Sequence, residues 1–206
     1  MEWIAARLGL MADLSEWLML FTRTCLQDAW LLDLDPRSDD RGYFARVFCA
    51  EEFAEHGLVS SFPQMNTNFS AKAGTLRGLH MQAVDHAEAK LIRCLSGEAF
   101  EMLVDLRPDS PTYAQSESFV LRPADRRLLY APPGFAHGFL ALADATEITY
   151  FASRPYAPGA ECGVRWDDPG LALKWPIPIL NVSEKDQSWP DLTLAPSAQV
   201  LARASS

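Results

Sequence analysis

Along the middle of the chain, short runs of apolar and aromatic residues alternate with polar positions. They cover 74–80, 90–94, 99–105, 117–121, 127–131, 138–142 and 147–151, roughly every ten residues, with Gly, Pro or Asp between them. Runs this short, rich in Val, Leu, Ile and Phe and broken by turn residues, predict β-strands of a sandwich or barrel. The expected fold is all-β, a closed double-sheet barrel of the jelly-roll kind with a few short helices. A further strand is expected over 43–48, after the turn cluster Ser38-Asp39-Asp40-Arg41-Gly42. The interior helix reads as 49–56, rich in Glu and Ala and stopped by Gly57.

At the N-terminus, Ile4, Leu8, Met11, Leu14 and Leu18 recur three or four apart, a helical spacing. Two readings stay open for 1–18: an amphipathic helix, or an extension ahead of a start at Met11 or Met19. The single domain is expected over 19–194, and the small-residue-rich 195–206 reads as a tail.

Composition narrows the function. With 18 Lys and Arg against 27 Asp and Glu, the net charge is −9. That argues against a nonspecific nucleic-acid binder, which needs a continuous basic field. An anionic ligand must meet a local cluster of cations. The four cysteines are scattered without a Cys-x-x-Cys pair, so neither a zinc site nor a disulfide framework is suggested, and a reducing cytoplasmic compartment fits. Asp13 and Glu16 interrupt the apolar stretch 8–21, which argues against a signal peptide or membrane span.

Two of the four histidines sit beside glycine at the ends of strand candidates, His80 in Leu76-Arg77-Gly78-Leu79-His80 and His137 in Pro132-Pro133-Gly134-Phe135-Ala136-His137-Gly138. In a barrel these strands and the one carrying Lys90 and Arg93 can turn alternate residues into one lumen, where His, Lys and Arg would form an anion site. On pattern alone, Lys90 and Arg93 can equally face solvent. A metal would use His80, His86, Glu88 and His137, but no His-x-His pair is present and Lys90 would repel a cation. Tyr150 lies in an apolar run where an inward hydroxyl needs a partner. Asp168 lies in the turn-like Arg165-Trp166-Asp167-Asp168-Pro169.

The ordered motifs Asp40-Arg41-Gly42-Tyr43-Phe44, Gln64-Met65-Asn66, Leu76-Arg77-Gly78-Leu79-His80, Ala87-Glu88-Ala89-Lys90-Leu91, Val104-Asp105-Leu106-Arg107, the Pro132–His137 motif running on to Gly138-Phe139, Tyr156-Ala157-Pro158 and Arg165-Trp166-Asp167-Asp168-Pro169 resemble those of the dTDP-4-dehydrorhamnose 3,5-epimerases, in the cupin superfamily. The likeness runs over about 22–192. It implies a jelly-roll homodimer with a substrate lumen, no metal and no cofactor, acting on a nucleotide diphosphate sugar. By the same resemblance His80 is the base that removes a proton beside the 4-keto group, and Asp168 hydrogen-bonds it. Lys90 stabilises the enolate, and Tyr150 returns a proton from the opposite face. Arg77 and Arg165 are implied at the diphosphate, Gln64, Asn66, His137 and Tyr156 at the substrate, and Arg41 and Phe44 at the nucleotide from the neighbouring subunit.

Two positions depart from the family pattern. Arg46 stands where an acid usually meets the thymine, and Met81 where an aromatic usually follows the histidine. Arginine can only donate, so Arg46 either prefers an acceptor-rich base such as cytosine or faces solvent. The sequence therefore favours an epimerase of a nucleotide-linked 4-keto-6-deoxyhexose acting at C3, C5 or both. A CDP-linked substrate, a noncatalytic sugar-nucleotide-binding cupin and a metal-dependent oxygenase stand as alternatives.

Overall fold

The computed structural model describes residues 18–192. The helix expected in 1–18 and the tail over 195–206 fall outside that range, apart from Leu18. The elements are β1 (Leu20–Arg23), β2 (Trp30–Asp33), β3 (Arg37–Asp39), β4 (Gly42–Phe44), α1 (Ala50–Glu55), β5 (Gln64–Ser70), β6 (Thr75–Gln82), β7 (Lys90–Ser96), β8 (Ala99–Asp105), β9 (Ser116–Leu121), β10 (Arg127–Ala131), β11 (Phe135–Ala141), β12 (Thr146–Ala152), β13 (Glu161–Gly163), β14 (Asn181–Val182) and α2 (Glu184–Gln187). One sheet runs β1-β2-β10-β7-β12-β5 and the other β13-β6-β11-β8-β9, with β14 added parallel to β6. This is the expected jelly roll.

Strand alternation divides the buried side chains into three layers. Ile92, Leu129 and Ile148 of the first sheet meet Leu103, Phe119, Phe135 and Phe139 of the second in the space between the sheets. On the outer face of the first sheet, Leu91, Leu128 and Tyr130 pack under Phe53 of α1 and the loop that follows it. Beyond the second sheet, Leu79, Met81, Met102 and Val104 are covered by Val164, Leu171, Trp166 and Trp175 of the returning chain. Because both faces of the central strands are covered, β11 is buried at every position and reads as a continuous apolar run.

Two local expectations change. The strand expected over 43–48 shrinks to β4, which forms a small exposed hairpin with β3. β1, β2 and β5 belong to the first sheet although none of them falls in the apolar runs. In β5 the reason is visible: Met65, Thr67 and Phe69 point outward, and the half-buried Gln64, Asn66 and Asn68 face in. The interior helix forms as expected, with Gly57 at φ +70° and its N–H donating to the Ala54 carbonyl at 3.0 Å, a C-terminal arrangement that glycine tolerates best.

Candidate active site

The inner phase that carries Ile92, Ile148, Leu103 and Phe135 deep in the barrel carries polar residues toward one end of it. Lys90 lies two positions before Ile92, Tyr150 two after Ile148, Glu101 two before Leu103 and His137 two after Phe135. Opposite them on β6, His80 lies between Leu79 and Met81, which point into the outer layer. His80 and His137 are direct cross-strand partners. The result is a polar cavity of about 340 Å³ lined by Arg77, His80, Lys90, His137, Tyr150 and Tyr156, together with Asn68, Glu161, Lys185 and Asp186. A smaller recess continues from it along Gln64, Asn66, Gln82 and Glu88.

Arg77 and His80 are three residues apart and would fall on opposite faces of a regular strand. Here the register of β6 and β11 shifts between His137 and Phe139, and such an irregularity re-aims side chains. Glycine at 78 is required by the close approach. At φ +113°, a Cβ on it would lie 2.6 Å from the His137 carbonyl oxygen and 2.6 Å from Gly138 Cα.

Lys90 is buried at 7 % exposure. Its ammonium is 3.2 Å from Glu88 Oε1 and donates to the His80 carbonyl at 3.4 Å. Glu88 is in turn held by Gln82 Nε2 at 2.8 Å. Burial and then the Lys90 charge push the His80 imidazole down to about 4, opposed by the Asp186 carboxylate. His80 is therefore neutral at physiological pH, the state in which it can accept a proton. Burial raises the Tyr150 phenol above its usual value, with Glu88 and Glu161 acting in the same direction and a hydrogen bond from Asn66 against them. That phenol keeps its proton and can give it up only to a strong base. Arg77, near the mouth, donates to the Phe69 carbonyl at 3.0 Å.

Asp168 is not the partner of His80. Its carboxylate is buried in the turn that follows β13, where Oδ1 accepts the N–H groups of Gly170 at 2.7 Å and Leu171 at 2.9 Å and Oδ2 accepts that of Leu192. Those bonds close a turn, and among the described residues Asp168 makes no hydrogen bond to His80. The carboxylate whose charge acts most strongly on His80 is Asp186 of α2, whose Oδ2 accepts from Gly78 N–H at 3.1 Å. α2 starts at Ser183, which accepts from Asp186 N–H at 3.1 Å as an N-cap. The parallel pairing of β14 with β6 brings it there.

Arg165 is also absent from the cavity wall; it grips Asp167 with bonds of 2.8 and 2.6 Å. Arg41 and Phe44 lie on the exposed hairpin, away from this chain's own cavity, with the Arg41 side chain 89 % exposed and bonded to Asp39. Gln64 and Asn66 bond each other at 3.0 Å in the recess, and Tyr156 donates to Glu161 at 3.0 Å. Arg46 forms an ion pair with Glu52 at 2.7 Å, and the other Glu52 oxygen accepts from Met19 N–H at 2.8 Å. Arg46 thus ties the start of the described chain to α1, and it is not among the residues lining the cavity. Among the described residues no group of three or more His, Cys, Asp or Glu is placed to hold a metal ion.

The profile of the dTDP-4-dehydrorhamnose 3,5-epimerases matches residues 23–193. The chain belongs to this family. A family member from Methanothermobacter thermautotrophicus is 39% identical over 84% of this chain and 94% of its own. The crystal structure of the family enzyme from Bacillus anthracis with TDP and pyrophosphate bound superposes with a TM-score of 0.81 at 38% identity, covering 85% of this chain and 100% of that one. A 3'-monoepimerase from Streptomyces bikiniensis in complex with dTDP-quinovose gives 0.76 at 30% identity, covering 82% and 86%. Family membership accounts for the eight ordered motifs together.

Proposed function

We propose that this chain is an epimerase of a dTDP-linked 4-keto-6-deoxyhexose that inverts C3 and C5 by taking a proton from one face and returning one to the other. The observation that carries this reading is the cavity itself, in which a neutral histidine, a buried ammonium and a protonated tyrosine converge. A carbon-bound hydrogen beside a ketone is acidic only as far as the enolate is stabilised, and a fixed cation in a site shielded from water does that strongly. His80 takes the proton, Lys90 meets the oxygen where charge develops, and Tyr150 delivers the returning proton. Asp186 orients His80 and favours its protonated form once the proton has moved. Deprotonation and return leave the oxidation state unchanged, so the reaction consumes no oxidant or reductant.

Arg77 is assigned to the diphosphate, where a planar fork suits two oxygens. Gln64, Asn66, His137 and Tyr156 are assigned to the polar groups of the sugar nucleotide. We further infer a homodimer in which Arg41 and Phe44 of one subunit reach the nucleotide of the other. The exposed β3–β4 hairpin, with Phe44 at 60 % exposure, supports that. A cytoplasmic place in deoxysugar synthesis for surface polysaccharide agrees with the free thiols of Cys25, Cys49, Cys94 and Cys162, and no described helix is long and apolar enough to cross a membrane. Arg46 is held by Glu52, and the dTDP base is taken from the family match. The test is to supply dTDP- and CDP-linked 4-keto-6-deoxyglucose separately in D2O and follow the sugar by NMR. Deuterium at C3 and C5 of the dTDP sugar is expected, and label at one carbon would make this a mono-epimerase like the Streptomyces bikiniensis relative. No label from the dTDP sugar overturns the reading.

A further inference from the structure

Glu101 interrupts the apolar run Ala99-Phe100-Glu101-Met102-Leu103-Val104, yet its side chain is fully buried. Its Oε2 lies 2.6 Å from His137 Nε2. Its Oε1 is buried and has no hydrogen-bond partner among the described residues. A carboxylate in that position would hold a whole charge out of water on one hydrogen bond, an arrangement strongly disfavoured by the lost hydration. Among the described residues no lysine or arginine makes an ion pair with it, and the charges that act on His137 from the neighbouring elements are Lys90 and Glu88.

Three proton arrangements are possible for the pair. An imidazolium facing a carboxylate sets a second cation beside Lys90, which disfavours it. A carboxylate accepting from a neutral Nε2–H leaves the buried charge uncompensated and weakens the field of Lys90 inside the cavity. A carboxylic acid donating to Nε2 avoids both penalties. Burial drives the two groups the same way, raising Glu101 to about 8 and lowering His137 to about 3.

We propose that Glu101 is a positioning residue whose carboxylic acid O–H donates to His137 Nε2, fixing the imidazole as the neutral Nδ1–H tautomer and making it a hydrogen-bond donor to an oxygen of the bound keto-sugar. Nδ1 is the ring nitrogen left for the cavity, since Nε2 is occupied and His137 makes no other polar contact among the described residues. The donor adds to Lys90 at the oxygen that becomes an enolate without adding charge. Its consequence for turnover rests on the proposed epimerase chemistry; the position of the proton does not.

The test is 15N NMR of histidine-labelled protein without ligand, across about pH 5 to 8 where free histidine titrates. The expected spectrum shows His137 neutral throughout with its proton on Nδ1. A proton on Nε2 alone, or an imidazolium, overturns the proposal. Glu101→Gln, whose amide can still donate to Nε2, is expected to keep that tautomer and stay within about tenfold of wild-type kcat. Glu101→Met should lose the tautomer and about a hundredfold in kcat, in the range for removing one oxyanion donor, with KM nearly unchanged. A folded Glu101→Met with wild-type tautomer and kcat also overturns it. If the wild type moves no label into any 4-keto sugar, the epimerase reading fails while the NMR still decides where the proton sits.

Discussion

Replacing Lys90 by Met separates the two tasks this ammonium performs. Its partner Glu88 is 3.2 Å away, and the two side chains are 9% and 6% exposed. At an effective dielectric of about 20, charges at that distance attract by about 5 kcal/mol. Desolvation of both ions offsets most of this, so the intact pair contributes little net stability. Removing one partner is different, because Glu88 then keeps a buried charge with Gln82 as its remaining support. The expected loss is about 3 to 5 kcal/mol, a fall of roughly 10 °C in Tm for a domain this size. Loss of a preorganised charge at the enolate should also slow proton exchange by about a hundred- to a thousandfold. The double variant Glu88→Gln/Lys90→Met removes the orphaned carboxylate, so it should recover much of the stability and none of the rate. Thermal melts by circular dichroism and single-turnover deuterium exchange read the two effects separately. If the double variant regains both, Lys90 is only the counter-ion of Glu88 and the enolate argument is wrong.

Other consequences concern the remaining groups. Because His80 titrates near 4 rather than 6.5, the acid limb of kcat/KM should lie well below pH 6, and a limb at 6.5 would refute its depressed basicity. The linked stability is present above about pH 6.5 and lost as pH falls toward 4, since the unfolded chain takes up the proton first; urea unfolding at pH 7 and pH 4.5 measures it. Tyr150→Phe should permit solvent exchange while blocking completed inversion, so full product formation by that variant would remove Tyr150 from the mechanism. Asp168→Ala, which takes away the acceptor of three backbone N–H groups, should cost about 3 kcal/mol of stability and leave the acid limb in place. Asp186→Asn should move that limb to lower pH, and the reverse pattern between the two aspartates would restore Asp168 as the partner of His80.

The barrel was legible because strands covered on both faces leave long apolar runs, as β8 and β11 do. Strands whose inner face is polar, above all β5, leave no such trace, and that polar face is the one turned to the cavity. Of the candidate site, His80, Lys90, Arg77 and His137 were readable from motifs that lie on strands, and Tyr150 from an apolar run together with the family resemblance. The choice between Asp168 and Asp186 was not: both stand in turn-like polar segments, and only the pairing of Asn181 and Val182 with Thr75 and Leu76 carries α2 back under Gly78. Glu161 and Lys185, which bond each other at the cavity wall, were hidden for the same reason. Glu101 did leave a signal, an acid alone in an apolar strand, which calls for a buried partner. Arg46 shows the opposite case, where a departure from the family pattern suggested base selection and the structure gives the side chain to Glu52.

The proposed epimerisation begins with removal of a carbon-bound proton by His80. Wild type and His80→Ala should be incubated with dTDP-4-keto-6-deoxyglucose in D2O and the sugar followed by mass spectrometry and NMR. Two deuterons are expected in the wild-type product, at C3 and C5, and none above the uncatalysed background with the variant. Label appearing at the wild-type rate in folded His80→Ala would contradict that role of His80.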